Sequence, residues 1–491
     1  VTDQILAVST RRRFSVSARV AAATAYVTSL VLASLDSHIV NIMLPTLTRD
    51  FQAPLASVKW TVLGYVLALA IAMPVAPWLS ARFGERRMFV QATLLFVLAS
   101  AACGLAQSLP QLVAFRAVQG LGGGLVGPIA TTILYRTYPQ SERARMTRLL
   151  LMPIALGPAL APPLGGFLVD HLSWRIAFLI NAPISLFTIA TVMIGLKPDV
   201  TLETAPRLNI GAFVAAATAL SGALYFLGEA PELGWADPLV LGVAATTVIA
   251  AIVFIKVEYR TRNPLLDLRL FAEPIFRYSN IATTLQTISW LGGLYYLTPL
   301  LLQEVGGQTP LVAGGVLSCV PVGVILSTQT VARGFDRIGP RTLVVTGQVG
   351  LAMALLVLAC FSGSTPIWAF CVVLFLAGVA NGLSMISLQA AMFADIRPGS
   401  LSRAATVFNV NRQVSTALGV GIATAIVTAG VSGNPTSAET YHIAFLVTAG
   451  FSLGAAIVGL ALPQRILPLT VALPQSDLNP AGSDGAIAVA G

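Results

Sequence analysis

Asp36 is the first residue along this chain whose type and surroundings point to chemistry. It stands in LASLDSHIVN (32–41), where its neighbours, apart from His38, are mostly apolar or small. An aspartate at the centre of a membrane-spanning helix costs about 2.5–3.5 kcal/mol on insertion scales, so a partner or a proton is expected. Arg116, in FRAVQGLGGG (115–124), supplies the complementary charge. Burial disfavours an ionised carboxylate and a neighbouring guanidinium favours it. A conformational change that alters either influence can therefore load and release a proton. The competing account is a static ion pair. His38 is of the type that titrates near neutral pH, and a polar packing role is the preferred account of it.

The elements that must position these residues are long apolar segments. Of 491 residues, 56% are hydrophobic and only 10% charged, against about 25% charged in soluble domains; the mean hydropathy is +0.82. No charged residue occurs between Arg87 and Arg116, or between Arg341 and Asp395. A hydrocarbon core about 30 Å thick needs roughly 20 apolar residues per helix, so the second window holds two helices with SGSTP (362–366) as their turn. Length and punctuation by Gly, Pro and charge give fourteen such segments between residues 20 and 463, an all-α membrane protein. The basic start followed by a long apolar stretch reads as a first spanning helix, not as a cleaved leader. Cys103, Cys319, Cys360 and Cys371 have no metal-ligand spacing and are expected to pack as thiols.

Lys and Arg set the orientation. With a cytoplasmic amino terminus, 24 of the 29 basic residues fall in inside segments. Arg49, Lys59 and Arg175 fall outside, and Arg116 and Arg412 lie within helices. This is the asymmetry of the positive-inside rule, and an odd number of helices would scramble it. The net charge of +9 thus reads as topology, not as a nucleic-acid site. Both termini are expected in the cytoplasm of a bacterial cell, with the protein in its cytoplasmic membrane; 26 Arg against 3 Lys suits a GC-rich bacterial genome.

Depth can be counted from the same segments. Arg116 enters from outside and lies roughly 9 Å deep, while Asp36 lies roughly 13 Å from the outer end of the first helix, at 1.5 Å per residue. The two are expected to face each other in the outer half of one bundle.

The chain repeats itself weakly. PWLSARFGERRM (77–88) follows the second helix and ARGFDRIGPRT (332–342) follows the tenth, each a short turn with Gly among arginines. A conformational gate is expected at Arg82, Gly84 and Arg86 and again at Asp336, Arg337, Gly339 and Arg341, the second turn with an Asp336–Arg337 ion pair; plain anchoring is the simpler alternative. Two six-helix halves with two inserted helices place the turns equivalently. The expected divisions are a cytoplasmic segment 1–19, a first bundle 20–196, two additional helices 197–265, a second bundle 266–465 and a disordered tail 466–491. In the fifth helix, GPALAPPLGG (157–166) supplies Gly157, Pro158, Pro162, Gly165 and Gly166. Prolines kink a helix and glycines admit a close neighbour, so a hinge or seal is expected there, against the alternative of passive packing. The glycines at 120–124 have no following lysine and no preceding strand, which sets aside a nucleotide loop.

Taken in order, these motifs resemble the fourteen-helix drug:proton antiporters of the major facilitator superfamily, the EmrB/QacA type. LDSHIVNIMLPTL is similar to the family's first-helix motif, FRAVQGLGGG to its fourth-helix Arg-x-x-Gln-Gly motif, and GPALAPPLGG to its antiporter motif. SWRIAFLINAPI (173–184) and FNVNRQVSTALGVG (408–421) resemble its next segment and its late Asn/Arg-Gln helix. The resemblance covers about 20–463 and implies the major facilitator fold, with Asp36 and Arg116 in proton coupling. Ala81 replaces the family's usual Asp, Glu85 a basic residue and Ala161 a glycine. These departures imply a weakened or rebuilt latch in the first turn.

Tyr65, Gln119, Gln286, Trp290, Tyr295, Asn381, Asn409 and Gln413 are the candidate substrate contacts, with Gln389 beside them. Aromatic faces with a few amides suit amphipathic molecules, and a ring can hold a cation. Glu229 and Glu304 are expected to be solvated rim charges. The expected function is export of amphipathic organic compounds in exchange for protons by alternating access, without cofactor or metal. The partners are the substrate, protons and the lipid bilayer, with no nucleic acid; an accessory envelope protein stays open. A proton-coupled importer and a non-transporting receptor or subunit are the rivals. Catalytic constellations and ATPase motifs, which would mark an enzyme or primary pump, are missing from the sequence.

Overall fold

The computed structural model describes residues 17–138, 140–197, 208–261, 264–394, 396, 400–429 and 438–464. The expected start at 1–16 and the tail at 466–491 lie outside the described residues. The helices make fourteen rods among the described residues. The first six are α1 (Ala18–Asp50), α2 (Leu55–Phe83), α3 (Glu85–Gly104), α4 (Leu109–Thr137), α5 (Gln140–His171) and α6 (Trp174–Gly195). Two more follow, α7 (Ile210–Leu233) and α8 (Pro238–Arg260). The last six are α9 (274–305), α10 (310–338), α11 (Pro340–Leu358), α12 (Ile367–Ala394), α13 (Leu401–Ala429) and α14 (Ala438–Gly459). Eleven of the described helices are long and apolar enough to cross a membrane.

Local sequence explains where the rods start. The Ser17 hydroxyl accepts from the Val20 N–H at the start of α1, and Asp237 Oδ1 accepts from Leu239 and Val240 at the start of α8. These side chains satisfy donors that the first helical turn leaves open. Pro238, Pro274 and Pro340 occupy first-turn positions, where the missing N–H costs nothing. Pro74 lies in a short 3-10 turn, Met73–Val75, that bends α2.

Apolar side chains face outward as well as inward. Leu98, Phe187, Ile249 and Ile457 are each more than 60% exposed, while Ser100, Gln348, Ser384 and Ser452 are buried. That inversion suits hydrocarbon as the surrounding solvent, because buried polar groups can then satisfy one another. Gln348 Nε2, for example, donates to Ser384 Oγ at 2.7 Å, and Ser452 Oγ donates back to Gln348 Oε1 at 2.9 Å.

Helices α1–α6 pack among themselves, as do α9–α14. Helices α7 and α8 pack on each other, and α7 also leans on α2 and α13. Gly84 (φ 92°, ψ 146°) and Gly339 (φ 84°, ψ 155°) open α3 and α11 in nearly the same left-handed conformation, so the two turns share a backbone as well as a sequence pattern. Alternation of the rods puts both turns on one face with Arg19, Arg82, Arg86, Arg136, Arg337, Arg341 and Arg403. That face is called the basic face below.

The two halves meet at the other end. Gly166 of α5 abuts Pro310 and Leu311 of α10, and Gly314 of α10 abuts the Pro162 carbonyl, each so closely that a Cβ would collide. Asp170 Oδ2 accepts from the Leu311 N–H at 2.8 Å, and Gln303 Nε2 donates to the Ile42 carbonyl at 3.0 Å. The antiporter-motif helix is thus a contact between the halves on the face opposite the basic one.

Candidate functional site

Asp36, fourteen residues before the end of α1 at Asp50, is 4% exposed, and Arg116 is 1% exposed. Arg116 Nη1 donates to Asp36 Oδ2 at 2.6 Å, and Gln119 Nε2 donates to Asp36 Oδ1 at 2.7 Å. Both carboxylate oxygens are therefore engaged. Arg116 and Gln119 are three residues apart on α4, a spacing that puts them on one helical face. Arg116 Nη1 also donates to Gln119 Oε1 at 2.8 Å, and its Nε to the Thr61 carbonyl of α2 at 2.9 Å.

Behind Gln119 the network continues. Gln119 Nε2 donates to Ser100 Oγ at 3.1 Å, Asn181 Nδ2 donates to the same hydroxyl at 3.0 Å, and Ser100 donates to the Phe178 carbonyl at 2.8 Å. Five helices, α1, α2, α3, α4 and α6, thus meet on one buried charge pair. The Tyr65 ring lies under the guanidinium, 4.0 Å from Cζ to centroid, a cation–π contact in a dry setting. Tyr65 and Gln119 are built into this cluster.

Close backbone approach makes the cluster possible. A Cβ on Gly120 would strike the Tyr65 carbonyl, and one on Gly124 the Leu69 carbonyl. The glycines of FRAVQGLGGG therefore let α2 and α4 touch along their backbones, consistent with helix packing through small residues.

His38, two residues beyond Asp36, points across the seam between the halves. Its ring stacks on Tyr295 of α9, with centroids 4.4 Å apart and planes 10° from parallel, and Trp290 meets Tyr295 edge-on at 5.4 Å. His38 packs as a polar ring, while its Nδ1 is buried without a hydrogen-bond partner. Around Tyr295, Ile288–Leu297 and Leu301–Val305 wind as π-helix, a form that occurs mostly in short stretches and often at functional sites.

Other candidates are separated from the cluster. Gln286 Nε2 donates to Asn381 Oδ1 at 2.7 Å, so these two buried amides bind each other between α9 and α12. Asn409 and Gln413 are half-buried on α13, and Gln389 is exposed. Asn411, which the sequence reading passed over, donates to the Asn280 carbonyl at 3.2 Å and accepts from Thr284 at 3.0 Å. It also lines an apolar cavity of about 440 Å³ that lies between α2, α7, α8 and α13.

At the basic face, Glu85 pairs with Arg136 at 2.8 Å and Arg86 Nη2 donates to the Met193 carbonyl at 2.7 Å. The residue that departs from the family pattern thus builds its own ion pair. Arg82 is exposed there. In the second turn, Arg341 Nε donates to the Leu462 carbonyl at 2.6 Å, and Gly339 lies against the Gln464 carbonyl. Arg337 is exposed, and the Asp336 side chain lies outside the described residues. Within α5, Gly157 faces Val31 and Ser34 and Gly165 faces Ile39, so this helix also seats α1; Pro158 is half-buried beside Gly157.

One expectation is corrected. Glu229 is not a solvated rim charge: it is 21% exposed, Trp60 Nε1 donates to its Oε1 at 2.9 Å, and Lys59 Nζ lies 3.9 Å away. Lys59 is itself fully buried and donates to the Gly228 carbonyl at 2.7 Å. Helix α7 lies over this end of α2, which turns two presumed loop charges into an interior clasp.

The model of the Major Facilitator Superfamily matches residues 26–420 and 274–481. The chain is 30% identical to a multidrug resistance protein B homolog of Mycobacterium tuberculosis, over 89% of this chain and 81% of the relative. It is also 30% identical to the methylenomycin A resistance protein of Streptomyces coelicolor, over 81% of this chain and 83% of that one. Among solved structures, an auto-inhibited POT family peptide transporter superposes with a TM-score of 0.67 at 15% identity, covering 90% of this chain and 95% of the other. At that identity the likeness speaks for the fold alone.

Proposed function

Because the chain belongs to the Major Facilitator Superfamily, as a multi-pass membrane transporter of its drug-efflux type, we propose that it exchanges protons for amphipathic organic compounds by alternating access. The moving bodies are α1–α6 and α9–α14, rocking about the seam, and α7 and α8 are carried between them. Both termini and the basic face lie in the cytoplasm, and no cofactor takes part.

The observation that carries this reading is the buried Asp36 between Arg116 and Gln119. In this arrangement, closed at the face opposite the basic one, both oxygens of Asp36 are held by donors, Arg116 and Gln119. Once the halves rock open on the outer side, a proton arriving from outside neutralises Asp36 and weakens its hold on Arg116. Arg116 keeps the Thr61 carbonyl and Gln119 Oε1 as acceptors, so it can release Asp36 without becoming wholly unbonded. The contact between α1 and α4 then loosens, and α1 also carries His38 and Ile42 at the seam. One charge moving down 100 mV supplies about 2.3 kcal/mol, enough to bias a two-state equilibrium by more than tenfold.

The test is transport in inside-out vesicles with a pH-sensitive dye, comparing the wild type with Asp36→Asn over a panel of amphipathic compounds. Substrate-dependent proton release that vanishes in Asp36→Asn supports the antiporter. Proton-coupled transport that persists in the variant makes Asp36 a structural partner of Arg116, and substrate uptake driven by an inward proton gradient favours the importer.

A further inference from the structure

The spanning helices carry a second arginine, and it is placed in the opposite way to Arg116. Arg412 lies eleven residues into α13, about 16 Å along the helix, yet its side chain is exposed. Across the space it enters stands Tyr26 of α1, from the other half, within electrostatic range of the guanidinium. Tyr26 in turn lies near Tyr135 of α4. Tyr26 is eight residues into α1, about 12 Å, so the two sit at similar depth from the basic face. Arg412 therefore points into the cleft between the halves, not toward lipid. Its Cζ also lies 6.0 Å from the Phe408 ring. Among the described residues no carboxylate pairs with it.

We propose that Arg412, flanked by Tyr26 and Phe408, is a subsite for the anionic group of the substrate, so that the exported compounds are amphipathic anions such as organic acids. A guanidinium held away from bulk water gains most from a carboxylate or sulfonate, which it can bind through two parallel hydrogen bonds. The ring of Phe408 covers the apolar body beside the charge, and the Tyr26 hydroxyl can donate to the same anion. A cationic substrate would meet a like charge at this depth. Asp36 offers it no counter-charge, because Arg116 and Gln119 already occupy both its oxygens. An inside-negative membrane potential also drives an anion outward, in the direction of export.

This inference rests on reading the cleft as the transport path. Its test is therefore made at equilibrium without a proton gradient, so that loss of proton coupling and loss of the anion subsite are seen separately. Octanesulfonate and octyltrimethylammonium share a chain and carry opposite charge, and the sulfonate offers the oxygens that a guanidinium pairs with. Their binding to full-length protein in zwitterionic nanodiscs is measured by equilibrium dialysis against empty nanodiscs. The wild type is expected to bind the sulfonate at least about tenfold more tightly than the ammonium. Arg412→Gln is expected to bring the ratio near one, and Arg412→Lys to keep most of it. A wild-type ratio near or below one, no binding of either ion above the blank, or an unchanged ratio in Arg412→Gln overturns the proposal. Should Arg412→Gln fail to fold, the wild-type ratio and Arg412→Lys still decide the sign.

Discussion

Arg116 and Asp36 are 80 residues apart in the chain and 2.6 Å apart in the fold, both almost fully buried. Removing one member of such a pair leaves an uncompensated charge, which typically costs 3–5 kcal/mol, whereas removing both is often close to neutral. Arg116→Gln is therefore expected to lose about 3–5 kcal/mol, and the double variant Asp36→Asn, Arg116→Gln to recover most of it. Thermal unfolding in detergent reads both. A double variant no more stable than the single one would mean that shape, not charge, holds α1 to α4.

Gly339 takes a backbone conformation that side chains strongly disfavour, and a Cβ there would also strike the Gln464 carbonyl. Gly339→Ala is expected to cost about 1–3 kcal/mol from backbone strain alone. Gly84→Ala should show the same strain, since its dihedral angles are close to those of Gly339. Wild-type melting temperatures for both variants would contradict the view that each turn needs glycine.

Gly166 and Gly314 let α5 and α10 close the face opposite the basic one. Valine at either position is expected to force that face open. A single cysteine at Gln303, with the four native cysteines replaced, reports it through a membrane-impermeant maleimide added from that side. A shift of about 1.4 kcal/mol between states raises the labelling rate about tenfold when the open state is the minor one. Unchanged labelling would mean that the seam adapts without parting.

Lys59 is buried and bonded to the Gly228 carbonyl at 2.7 Å. A hydrogen bond to a charged group is worth about 1.5–3 kcal/mol, so Lys59→Met is expected to destabilise the protein by a comparable amount. Unfolding in detergent, followed by tryptophan emission, measures it. Stability equal to the wild type would show that apolar contacts alone dock α7.

Much of this architecture was legible in the sequence. Apolar length and charge punctuation place each rod, because every spanning helix must be long and must satisfy its own backbone. Counting residues from the helix ends brought Asp36 and Arg116 to similar depth, and the structure puts them in contact. The three-residue spacing of Arg116 and Gln119 is a readable sign that both face one way; that Gln119, a candidate substrate contact, also binds Asp36 is not readable from it. Thr61, Ser100 and Asn181 gave no such sign, since their roles depend on how α2, α3 and α6 turn toward α4. Lys59 and Glu229 look like loop charges until α7 is laid over them. The π-helical turns around Tyr295 gave no sign either: Gly292 fits equally well in an α-helix, and its close contact with the Gly419 carbonyl appears only in the fold.

The distance in sequence between Asp36 and Arg116 also has a consequence for synthesis. Ribosomes add about 5–20 residues per second, so α1 exists for about 4–16 s before the arginine that balances its carboxylate has been made. Throughout that interval Asp36 has no Arg116 to meet, and placing it within the membrane bears the whole insertion cost of about 2.5–3.5 kcal/mol. The packing of α1 is thus completed only when α4 arrives, and a nascent chain cut short before Arg116 leaves Asp36 without its partner.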